Sequence, residues 1–474
     1  ASGDTIIFNN GKALTLSATT DNFTTGGTNL TSTTNPTAKL VASSKTNKAD
    51  STYYVGVYIK NNTYTYSTTA KTPEVLLTIK DEKGSNVTSV DGLTYTTSGG
   101  VSGFDITDKT GLFNIKTDYP ITTTSSTTGT THTWTFTLTF VNLSTDQSVN
   151  ENANMNLDVY LQKKAFPSTV ADVCSGGETL ASCVTTLKQK DALGISNIYY
   201  HDANLTNGAG DNSYRYAGAN PNNFVCFGTN TTPCPTDNLY RIIGVFGNQV
   251  KLIKYDYATS ALLGTDGDYK GTGTPNASYY KGELTTINRY YWNNSTKKNT
   301  WSESELNKTN LNTNFITNIG TEWAAKIAET TWKVVGNTWA NIGSQPAKTA
   351  YQNEIVSPVT TNTTDGKTEC SAKIGLMYAS DYGFAAAQSA WTANLNTYNG
   401  ETIKNVNWMY MGFDDWTISR NADFSNIAFY VYNYGYVSNY GVNNGCAVRP
   451  SFSLLSSTTY VSGSGSASDP MVIN

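Results

Sequence analysis

The stretch THTWTFTLTF, residues 131–140, decides the fold predicted for the first part of this chain. Its apolar side chains recur at every second position, with threonine between them: Trp134, Phe136, Leu138 and Phe140. A period of two is typical of a strand that buries one face, as in a β-sandwich. The same alternation recurs in TYYVGVYIK (52–60), PEVLLTIK (73–80) and MNLDVYLQ (155–162). We therefore predict an all-β sandwich over residues 1–163.

The pattern changes in KKAFPSTVADV, residues 163–173, which contains a proline and does not alternate. We predict a linker at 164–173 and a second domain at 174–474. Three segments carry the signals of this second domain: a helix at 176–194, an apolar hairpin at 238–257, and a long helical run at 301–332 that Gly320 breaks. Mixed helix and strand signals indicate an α+β domain. The whole chain is then a multidomain protein, with an all-β sandwich followed by an α+β domain.

Charged residues make up only 14% of the 474 residues, and the formal net charge is −4. A nucleic-acid-binding protein shows a basic face, so this composition argues against nucleic acid as a partner. Thr, Ser, Asn and Tyr carry the surface instead, which is typical of a secreted or cell-surface protein. The start at Ala1 without Met indicates a signal peptide already removed. We therefore expect an extracellular protein with no membrane span in the mature chain.

Six cysteines, all after residue 173, agree with this location. An even number with close pairs is typical of disulfides formed in an oxidising compartment. The predicted pairs are Cys174–Cys183, Cys226–Cys234 and Cys370–Cys446. A zinc site is the alternative, but the sequence has no CxxC pair, and its two histidines lie far from any cysteine pair. We predict no metal site.

The segment NWMYMGFDDWTISRNADFSNIAFYVYNYGYVSNYGVNNGCAVRPSFSL, residues 407–454, is crowded with Tyr and Asn. These side chains are large, uncharged and adaptable, which is why binding loops favour them. The predicted ligand-binding residues are Trp416, Tyr430, Tyr432, Asn433, Tyr434, Tyr436, Asn439, Tyr440, Asn443 and Asn444. The alternative is a solvated edge strand with polar loops, because Tyr is also a common strand residue.

The segment TTHTWTFTLTFVNLSTDQSVNENANMNLDVYLQ, residues 130–162, resembles the closing strands of Firmicutes surface β-sandwiches, and fibre subunits of the TasA/camelysin type. This resemblance implies a filament in which the N-terminal strand of one subunit completes the sheet of the next. The donor would be a strand near residues 4–9, with Ile6, Ile7 and Phe8 as assembly residues. The alternative is that this strand pairs within its own sandwich.

A second resemblance covers residues 174–474. Trp416-Thr417-Ile418-Ser419-Arg420 and Val448-Arg449-Pro450 resemble the motifs of the C-type-lectin-like fold of the formylglycine-generating-enzyme type, which is widespread in bacterial surface proteins. The resemblance implies either a ligand-binding domain or a display scaffold. Some proteins of this fold are variable proteins of diversity-generating retroelements, and residues 425–446 would then be hypervariable.

The sequence does not indicate an enzyme. With two histidines, one of them in the first domain, a Ser-His-Asp or Cys-His site is not expected. Asp414 and Asp415 are adjacent carboxylates, and a carboxylate pair is what a glycosidase uses. Neighbouring side chains on a strand point to opposite faces, however, so these two are not expected to act together. We predict no catalytic residue.

No cofactor is predicted, and calcium is the alternative that the sequence keeps open. Calcium prefers carboxylate and amide oxygens, which oxygen-rich loops supply. Two such loops occur, one around Asp202, Asn204 and Asp211 and one around Asp266 and Asp268. Turns rich in Asn and Asp are also common without a metal.

The predicted function is that of a structural subunit of an extracellular, pilus-like filament. Its β-sandwich would polymerise with other copies of itself, and its lectin-like domain would be displayed outward. The alternative is a monomeric adhesin that binds glycans or host cell-surface proteins through the Tyr- and Asn-rich segment. The two functions are compatible with each other.

Overall fold

The computed structural model is rich in β-structure, with 34% strand and 18% helix. The described residues are 6–9, 14–17, 30–31, 37–44, 51–121, 130–358 and 367–474. The chain divides into two compact units, Ala1–Phe166 and Pro167–Asn474. In the described part of the chain, none of the helices has both the length and the apolar character needed to cross a membrane.

The first unit consists of two antiparallel sheets around one core. Its strands are β1 Ile6–Asn9, β2 Leu14–Ser17, β3 Leu30–Thr31, β4 Thr37–Ser44, β5 Ser51–Asn62, β6 Val75–Lys80, β7 Thr94–Ser98, β8 Val101–Asp105, β9 Gly111–Ile121, β10 Thr130–Phe140 and β11 Asn154–Gln162. One sheet has the order β1-β4-β10-β6-β8-β7, with β3 beside β10, and the other has the order β2-β11-β5-β9. Val57, Phe136 and Leu157, which come from both sheets, are buried in the shared core.

The alternation that predicted this sandwich is confirmed in β10 and β11. Trp134, Phe136 and Leu138 are fully buried, while the threonines between them are only partly buried. In β11 buried and half-buried residues alternate along the whole strand. Because the side-chain period of a strand is two, this pattern fixes which face meets the core.

The DQSVN segment between β10 and β11 contacts Glu74, the residue before β6. Glu74 is fully buried. Its carboxylate accepts hydrogen bonds from Ser67 N at 2.6 Å, Gln147 Nε2 at 2.7 Å and Asn150 Nδ2 at 2.9 Å. A buried carboxylate requires such partners. Gln147 and Asn150 therefore have a structural role, as partners of this carboxylate.

The predicted donor strand lies in β1, which pairs antiparallel with β4 of the same chain. Its register places Ile6 opposite Ser44, Ile7 opposite Ser43 and Phe8 opposite Ala42. β1 takes the outer position of the sheet. The pairing within its own sandwich, which was the alternative, is therefore the arrangement in this structure. Residues 4 and 5 of the predicted donor lie outside the described residues.

The second unit has one large core shared by several small sheets and short helices. Its strands are β12 Ile198–Tyr200, β13 Tyr214–Tyr216, β14 Phe224–Cys226, β15 Leu239–Phe246, β16 Gln249–Lys254, β17 Tyr269–Gly273, β18 Ile287–Tyr291, β19 Thr330–Lys333, β20 Gly336–Asn337, β21 Glu369–Ala372, β22 Asp415–Asn421, β23 Ile427–Val431, β24 Val437–Gly441, β25 Gly445–Cys446, β26 Ser451–Ser453, β27 Tyr460–Ser462 and β28 Val472–Ile473. Its α-helices are α1 Leu180–Lys190, α2 Ser260–Leu263, α3 Ile316–Asn318, α4 Thr321–Ala324, α5 Trp339–Ile342, α6 Ala347–Tyr351, α7 Ala379–Phe384 and α8 Gly400–Ile403, and two π-helical segments are Leu306–Phe315 and Gln352–Val356.

The sheets of this unit are small. The largest has the order β12-β13-β15-β16-β26, with β14 beside β15. The others are β17-β18-β25, β19-β21, β20-β22-β23-β24 and β27-β28. The predicted hairpin at 238–257 is confirmed as β15 and β16, and most of its residues are buried. The predicted helix at 176–194 is confirmed as α1.

Part of the predicted linker belongs to the second unit. Val170 is fully buried in the core of that unit, among residues that include Leu180 and Val184 of α1. Asp172 accepts hydrogen bonds from Thr169 N at 2.8 Å and Thr169 Oγ1 at 2.9 Å, which closes a short 3-10 turn. An apolar anchor and a capped turn explain why residues 167–173 are ordered with the unit that follows them.

Two of the three predicted disulfides are confirmed, Cys174–Cys183 and Cys226–Cys234. The third was wrong, because Cys370 and Cys446 are free thiols. Cys370 lies in β21 opposite Trp332, and Cys446 lies in β25 opposite Tyr290. The two strands belong to different sheets, so backbone pairing holds the two thiols in separate places.

Candidate recognition surface

The Tyr- and Asn-rich segment forms a hairpin in the sheet β20-β22-β23-β24. β23 and β24 pair so that Tyr430 lies opposite Ser438 and Ala428 opposite Tyr440. Alternate residues Phe429 and Val431 are buried in the core. The period of two therefore places the tyrosines of these strands on the face away from Phe429. We call Tyr430, Tyr432, Tyr434, Tyr436 and Tyr440 the tyrosine surface.

The rings of the tyrosine surface contact one another in a continuous row. The ring centroids are 5.2 Å apart for Tyr430–Tyr440, 4.9 Å for Tyr432–Tyr436 and 6.2 Å for Tyr432–Tyr434. Tyr430 also meets Tyr432 edge to face at 6.1 Å. Each such pair contributes about 0.5–1.5 kcal/mol beyond area burial. The row is therefore held in place before any ligand arrives.

Hydrogen bonds from two tyrosines outside the hairpin hold the turn between β23 and β24 in place. The hydroxyl of Tyr410 donates to Asn433 O at 2.6 Å, and the hydroxyl of Tyr382 donates to Gly435 O at 2.6 Å. Gly435 has φ 92°, and a Cβ there would lie 2.4 Å from Ile403 Cγ2. Only glycine fits both the positive φ and this close approach. The turn thus presents Tyr432 and Tyr434 in a defined position.

Four hydroxyls of the tyrosine surface have no hydrogen-bond partner among the described residues: those of Tyr430, Tyr432, Tyr436 and Tyr440. None of them is among the buried polar atoms that lack a partner. They therefore remain accessible as donors and acceptors. The fifth hydroxyl, that of Tyr434, accepts a hydrogen bond from the Tyr279 hydroxyl at 2.6 Å.

One carboxylate and one guanidinium group lie beside these rings. Burial raises the pKa of Asp414, while a hydrogen bond from Asn433 N at 2.9 Å and the charge of Arg289 oppose the rise. Burial also raises the pKa of Tyr440; the charge of Asp414 adds to the rise and Arg289 opposes it. The Arg289 Nε atom is buried and has no hydrogen-bond partner in the described part of the chain. Arg289 is thus a cation whose charge acts on both Asp414 and Tyr440.

Trp416 was wrongly predicted as a binding residue. It is 1% exposed, and its indole N–H donates to Tyr290 O at 2.8 Å, so it is a core residue below Tyr430. Tyr430 itself is only 7% exposed and offers little more than its hydroxyl edge. Two residues that lie directly opposite each other on paired strands are on the same face of the sheet. Trp416 lies opposite Tyr430, so both are on the same face.

The four predicted asparagines do not act as one group. Asn439 lies opposite Phe429, so it is on the other face of the sheet from the tyrosine surface. Asn443 and Asn444 lie in the turn after β24, where Asn444 N donates to Gly441 O at 2.8 Å. Asn433 remains beside the tyrosine surface, and its Oδ1 is buried without a partner in the described structure.

The sequence analysis did not assign three residues to this candidate site: Tyr279, Arg289 and Asp414. It considered Asp414 only as a catalytic carboxylate. The Tyr279 ring contacts the Tyr434 ring in a tilted arrangement, with ring centroids 4.6 Å apart and planes at 48°. Both Tyr279 and Arg289 are far from the hairpin in sequence, so no local pattern links them to it. The one available signal was composition, since Arg289 is one of only five arginines in the chain.

The motif residues of the second resemblance are structural. Arg449 Nε donates to Asp415 Oδ2 at 2.7 Å and Arg449 Nη2 donates to Met409 O at 2.8 Å, and both charged residues are buried. Burial raises the pKa of Asp415 to about 6, while Arg449 opposes the rise. Asp414 binds Asn433 N instead, so the two adjacent carboxylates serve different partners.

The loops considered for calcium use their oxygens internally. Asp202 Oδ1 accepts from Asn204 N at 3.0 Å, and Asp211 Oδ2 accepts from Arg215 at 2.7 Å. Asp266 Oδ1 accepts from Asn314 Nδ2 at 2.7 Å, and Asp268 accepts from two backbone N–H groups. Among the described residues, the one group spaced for a metal is Cys174, Glu178 and Cys183, whose two sulfurs form a disulfide.

Neither protein-family models nor curated proteins match this chain. The geometry of the described residues therefore carries the functional argument.

Proposed function

We propose that this chain is an extracellular recognition protein whose second unit binds a partner protein through the tyrosine surface and Arg289. The observation that carries this proposal is the set of four accessible tyrosine hydroxyls without partners on a pre-ordered row of rings. Tyr and Arg are enriched at the energetic centres of protein interfaces. Rigid aromatic side chains lose little conformational entropy on binding, which favours this use.

The shape of the site supports a protein partner more than a small ligand. Sites for small molecules are concave. Three cavities among the described residues of the second unit, of about 450, 320 and 390 Å³, are lined by residues outside the tyrosine surface. The rings lie in a row along one face of the hairpin, and an interface on another protein can contact the whole row at once.

The extracellular location and the C-type-lectin-like fold are parts of this proposal. Two disulfides favour an oxidising compartment. The buried link from Arg449 through Asp415 to the strand of Trp416 favours the fold, because it joins the two motifs that carry the resemblance. In this interpretation the motifs hold the domain together, and the tyrosine surface provides the binding.

The test is a screen of the labelled full-length chain against an array of extracellular protein domains, with a glycan array in parallel. The variant Tyr432→Phe/Tyr436→Phe keeps both rings and removes two hydroxyls. We expect binding to at least one protein domain, weakened about tenfold in this variant by the loss of two hydrogen bonds. Tyr214→Phe is the matched control, since Tyr214 stacks on Tyr200 outside the tyrosine surface. Binding to glycans alone, or equal binding by both variants, would contradict the proposal.

A second candidate function, assembly into filaments, is favoured by the position of β1. Among the described strands, this strand pairs with β4 alone, through four residue pairs at the outer position of its sheet. The β1 strand of another copy can make the same backbone hydrogen bonds, which is how strand donation works. Assembly would then display the tyrosine surface many times along a fibre.

A cysteine pair distinguishes donation from pairing within one chain. Phe8 and Ala42 are direct partners across β1 and β4, so Phe8→Cys/Ala42→Cys places two thiols opposite each other. After oxidation, a ladder of polymers on a non-reducing gel would support donation, and a cross-linked monomer would exclude it. Deletion of residues 1–9 should abolish any filament seen by electron microscopy.

A further inference from the structure

The outer edge of β24 is open in the described structure. β24 lies at the end of the sheet β20-β22-β23-β24 and pairs with β23 on one side. Neither another described strand nor an isolated bridge of the described residues adds to its second side. A strand with one open side presents unpaired N–H and C=O groups, and these groups are a template for a further strand.

The register of the hairpin decides which backbone groups of β24 point outward. Val442 N donates to Asn426 O at 2.9 Å, which makes Val442 a hydrogen-bonded position. Hydrogen-bonded and non-hydrogen-bonded positions alternate along an antiparallel pair. Tyr440 therefore also bonds to β23, while Asn439 and Gly441 direct their N–H and C=O groups away from β23.

The outward groups belong to residues that are partly exposed. Among the described residues, the Asn439 N–H and C=O and the Gly441 N–H have no hydrogen-bond partner. Gly441 O accepts from Asn444 N at 2.8 Å, and a carbonyl oxygen has a second lone pair. Asn439 and Gly441 are partly exposed, and Tyr440 between them is 38% exposed. A strand from outside the domain can therefore contact these three residues.

β24 lacks two features that commonly keep outer strands apart. Its sequence, VSNYG, contains neither a charged residue nor a proline. β9, an outer strand of the first unit, contains Lys116, Asp118 and Pro120. Charged side chains and proline hinder the pairing of outer strands, because like charges repel and proline has no N–H. The edge of β24 therefore remains able to pair.

We propose that β24 pairs antiparallel with β24 of a second copy of this chain, about a twofold axis beside Tyr440. Asn439 of each copy then lies opposite Gly441 of the other, and each such pair exchanges both of its N–H···O bonds. The Tyr440 residues of the two copies lie opposite each other at a non-hydrogen-bonded position, where side chains are closest. One register satisfies the same groups in both copies, as a twofold interface requires.

The charges that act on Tyr440 are compatible with a second copy at this edge. Burial raises the pKa of Tyr440; of the charged groups, Asp414 adds to the rise and Arg289 opposes it. Each copy thus brings one group of each sign near the axis. Another cation, Lys270, packs against Gly445, beyond the end of β24. Two copies therefore meet at Tyr440 without an excess of one charge.

This pairing would continue the sheet across the axis and place both tyrosine surfaces on the same face of it. Tyr440 would contact its counterpart, while Tyr432, Tyr434 and Tyr436 would remain available to a partner protein. Two linked binding surfaces increase the apparent affinity for a partner that presents repeated sites. The self-association itself does not depend on the proposed function.

Sedimentation equilibrium of the full chain tests this pairing. Contacts this small are weak, so we expect a reversible dimer with a Kd of about 100 μM. Asn439→Pro removes an outward N–H that β23 does not use, and outer strands tolerate proline at such positions. This variant should weaken dimerisation about tenfold. Asn439→Ala, the matched control, keeps the N–H and should dimerise as the parent does.

Tyr440→Lys tests the same edge without any change to the backbone. It places like charges directly opposite each other across the axis, which destabilises a strand pair. Dimerisation should again weaken about tenfold, because both copies contribute the charge. Tyr440→Phe keeps the ring and should retain the dimer. Tyr440 is 38% exposed, so the folded chain accommodates either side chain.

Amide hydrogen exchange on the unaltered protein gives a second measurement. The Asn439 and Gly441 amides should exchange more slowly as the protein concentration rises, whereas the Tyr440 amide, already bonded to β23, should change little. Deletion of residues 1–9 should leave this dimer intact, which separates it from strand donation by β1. A monomer at about ten times the expected Kd, a dimer that Asn439→Pro leaves unchanged, or a dimer lost on this deletion would each overturn the proposal.

Discussion

The two units of this chain fill their interiors in different ways. The core of the first unit is an alternating set of apolar side chains, with Trp134, Phe136 and Leu138 fully buried. Among the described residues of the first unit one charged side chain, Glu74, is fully buried, whereas the second unit buries several charged groups as well as apolar surface. Four of the five arginines of the chain are between 2% and 4% exposed there: Arg215, Arg241, Arg420 and Arg449.

The buried arginines connect segments that are distant in sequence. Arg241 donates to Asn223 Oδ1 at 2.7 Å and Pro221 O at 3.0 Å, and its guanidinium lies 4.8 Å from the Trp408 ring centroid. Arg420 donates to Asn299 O at 3.2 Å. A planar fork of donors can satisfy several acceptors at once. In this unit, whose sheets are small, specific polar contacts complement the packing. Arg289, the fifth arginine, lies instead beside the tyrosine surface.

The largest effect that separates the units is expected from breaking the Arg449–Asp415 pair. Arg449→Met leaves the Asp415 carboxylate buried without its cation, and the loss of one partner of a buried pair costs about 3–5 kcal/mol. Urea unfolding followed by tryptophan fluorescence measures this loss in the second unit, because only Trp134 of the nine tryptophans belongs to the first.

Two further observations sharpen this test. The double variant Arg449→Met/Asp415→Leu removes both charges and should recover part of the lost stability. Amide exchange in β10 should remain as in the parent chain, because that strand belongs to the first unit. Equal loss of protection in β10 and β22 would show that the two units unfold together.

The next effect is a dependence of stability on pH that originates in Glu354. Burial raises the pKa of Glu354 from its ordinary 4.5 to about 7, against hydrogen bonds from Ser380 and Ser419. The folded state therefore holds a proton that the unfolded state releases. Glu354 therefore contributes a free energy of unfolding that falls by about 3 kcal/mol as pH rises from 4.5 to 7 and is level above that range. His201, whose pKa burial lowers from 6.5 to about 3, acts in the opposite direction below about pH 6.5.

Glu354→Gln should remove this contribution. Asp415 acts in the same direction with a pKa of about 6, so the interval from pH 6 to 7 isolates Glu354 best. Tryptophan fluorescence at fixed urea concentration, repeated across this interval, gives the slope. A slope unchanged in the variant would assign the dependence to other groups.

The periodicity of apolar residues was sufficient to predict those strands in which burial follows a regular pattern along the sequence. The alternation of β10 and β11 and the apolar hairpin of β15 and β16 follow directly from residue spacing. The same periodicity was insufficient to predict the structure of residues 301–332. Gly320 does break that helical run, with φ 83°, but residues 330–333 form β19 instead of a helix. Trp332 is held there by β21 and by Gly375, which are tertiary contacts that override local preference.

The candidate site was predictable only in part, for the same reason. The tyrosines of the hairpin stand out by composition, and strand alternation places them on one face. Trp416 was assigned to the surface because a single sequence does not show that Tyr290 O accepts its indole N–H. Arg289 and Tyr279 come from other segments, so their approach to Tyr440 and Tyr434 is a property of the fold.

A smaller effect is expected in the first unit, from a buried hydrogen bond. The Trp134 indole N–H donates to the Tyr53 hydroxyl at 2.8 Å, which also bonds to His132 Nδ1 at 2.9 Å. Tyr53→Phe leaves the buried indole donor without this acceptor, at a cost of about 1–3 kcal/mol. Amide exchange in β5 and β10 measures this loss. Tyr95→Phe is the control with little expected effect, because the Tyr95 hydroxyl has no hydrogen-bond partner among the described residues. Loss of protection in the second unit as well would contradict the separation of the two cores.

The smallest effect concerns the two thiols, which should differ in their reactivity with maleimide because they differ in burial. Cys370 is half-buried, and burial raises its pKa, so a native-state maleimide reaction should be slow. Cys446 is fully buried and its pKa is raised well above the ordinary value, so it should react only after unfolding. Intact mass after labelling in denaturant without reductant should show two modified cysteines, and six after reduction. If no cysteine is modified before reduction, Cys370 and Cys446 are paired, and β21 and β25 lie closer together than in this structure. The second unit would then have a covalent link in addition to its buried charges, and its contrast with the first unit would be greater.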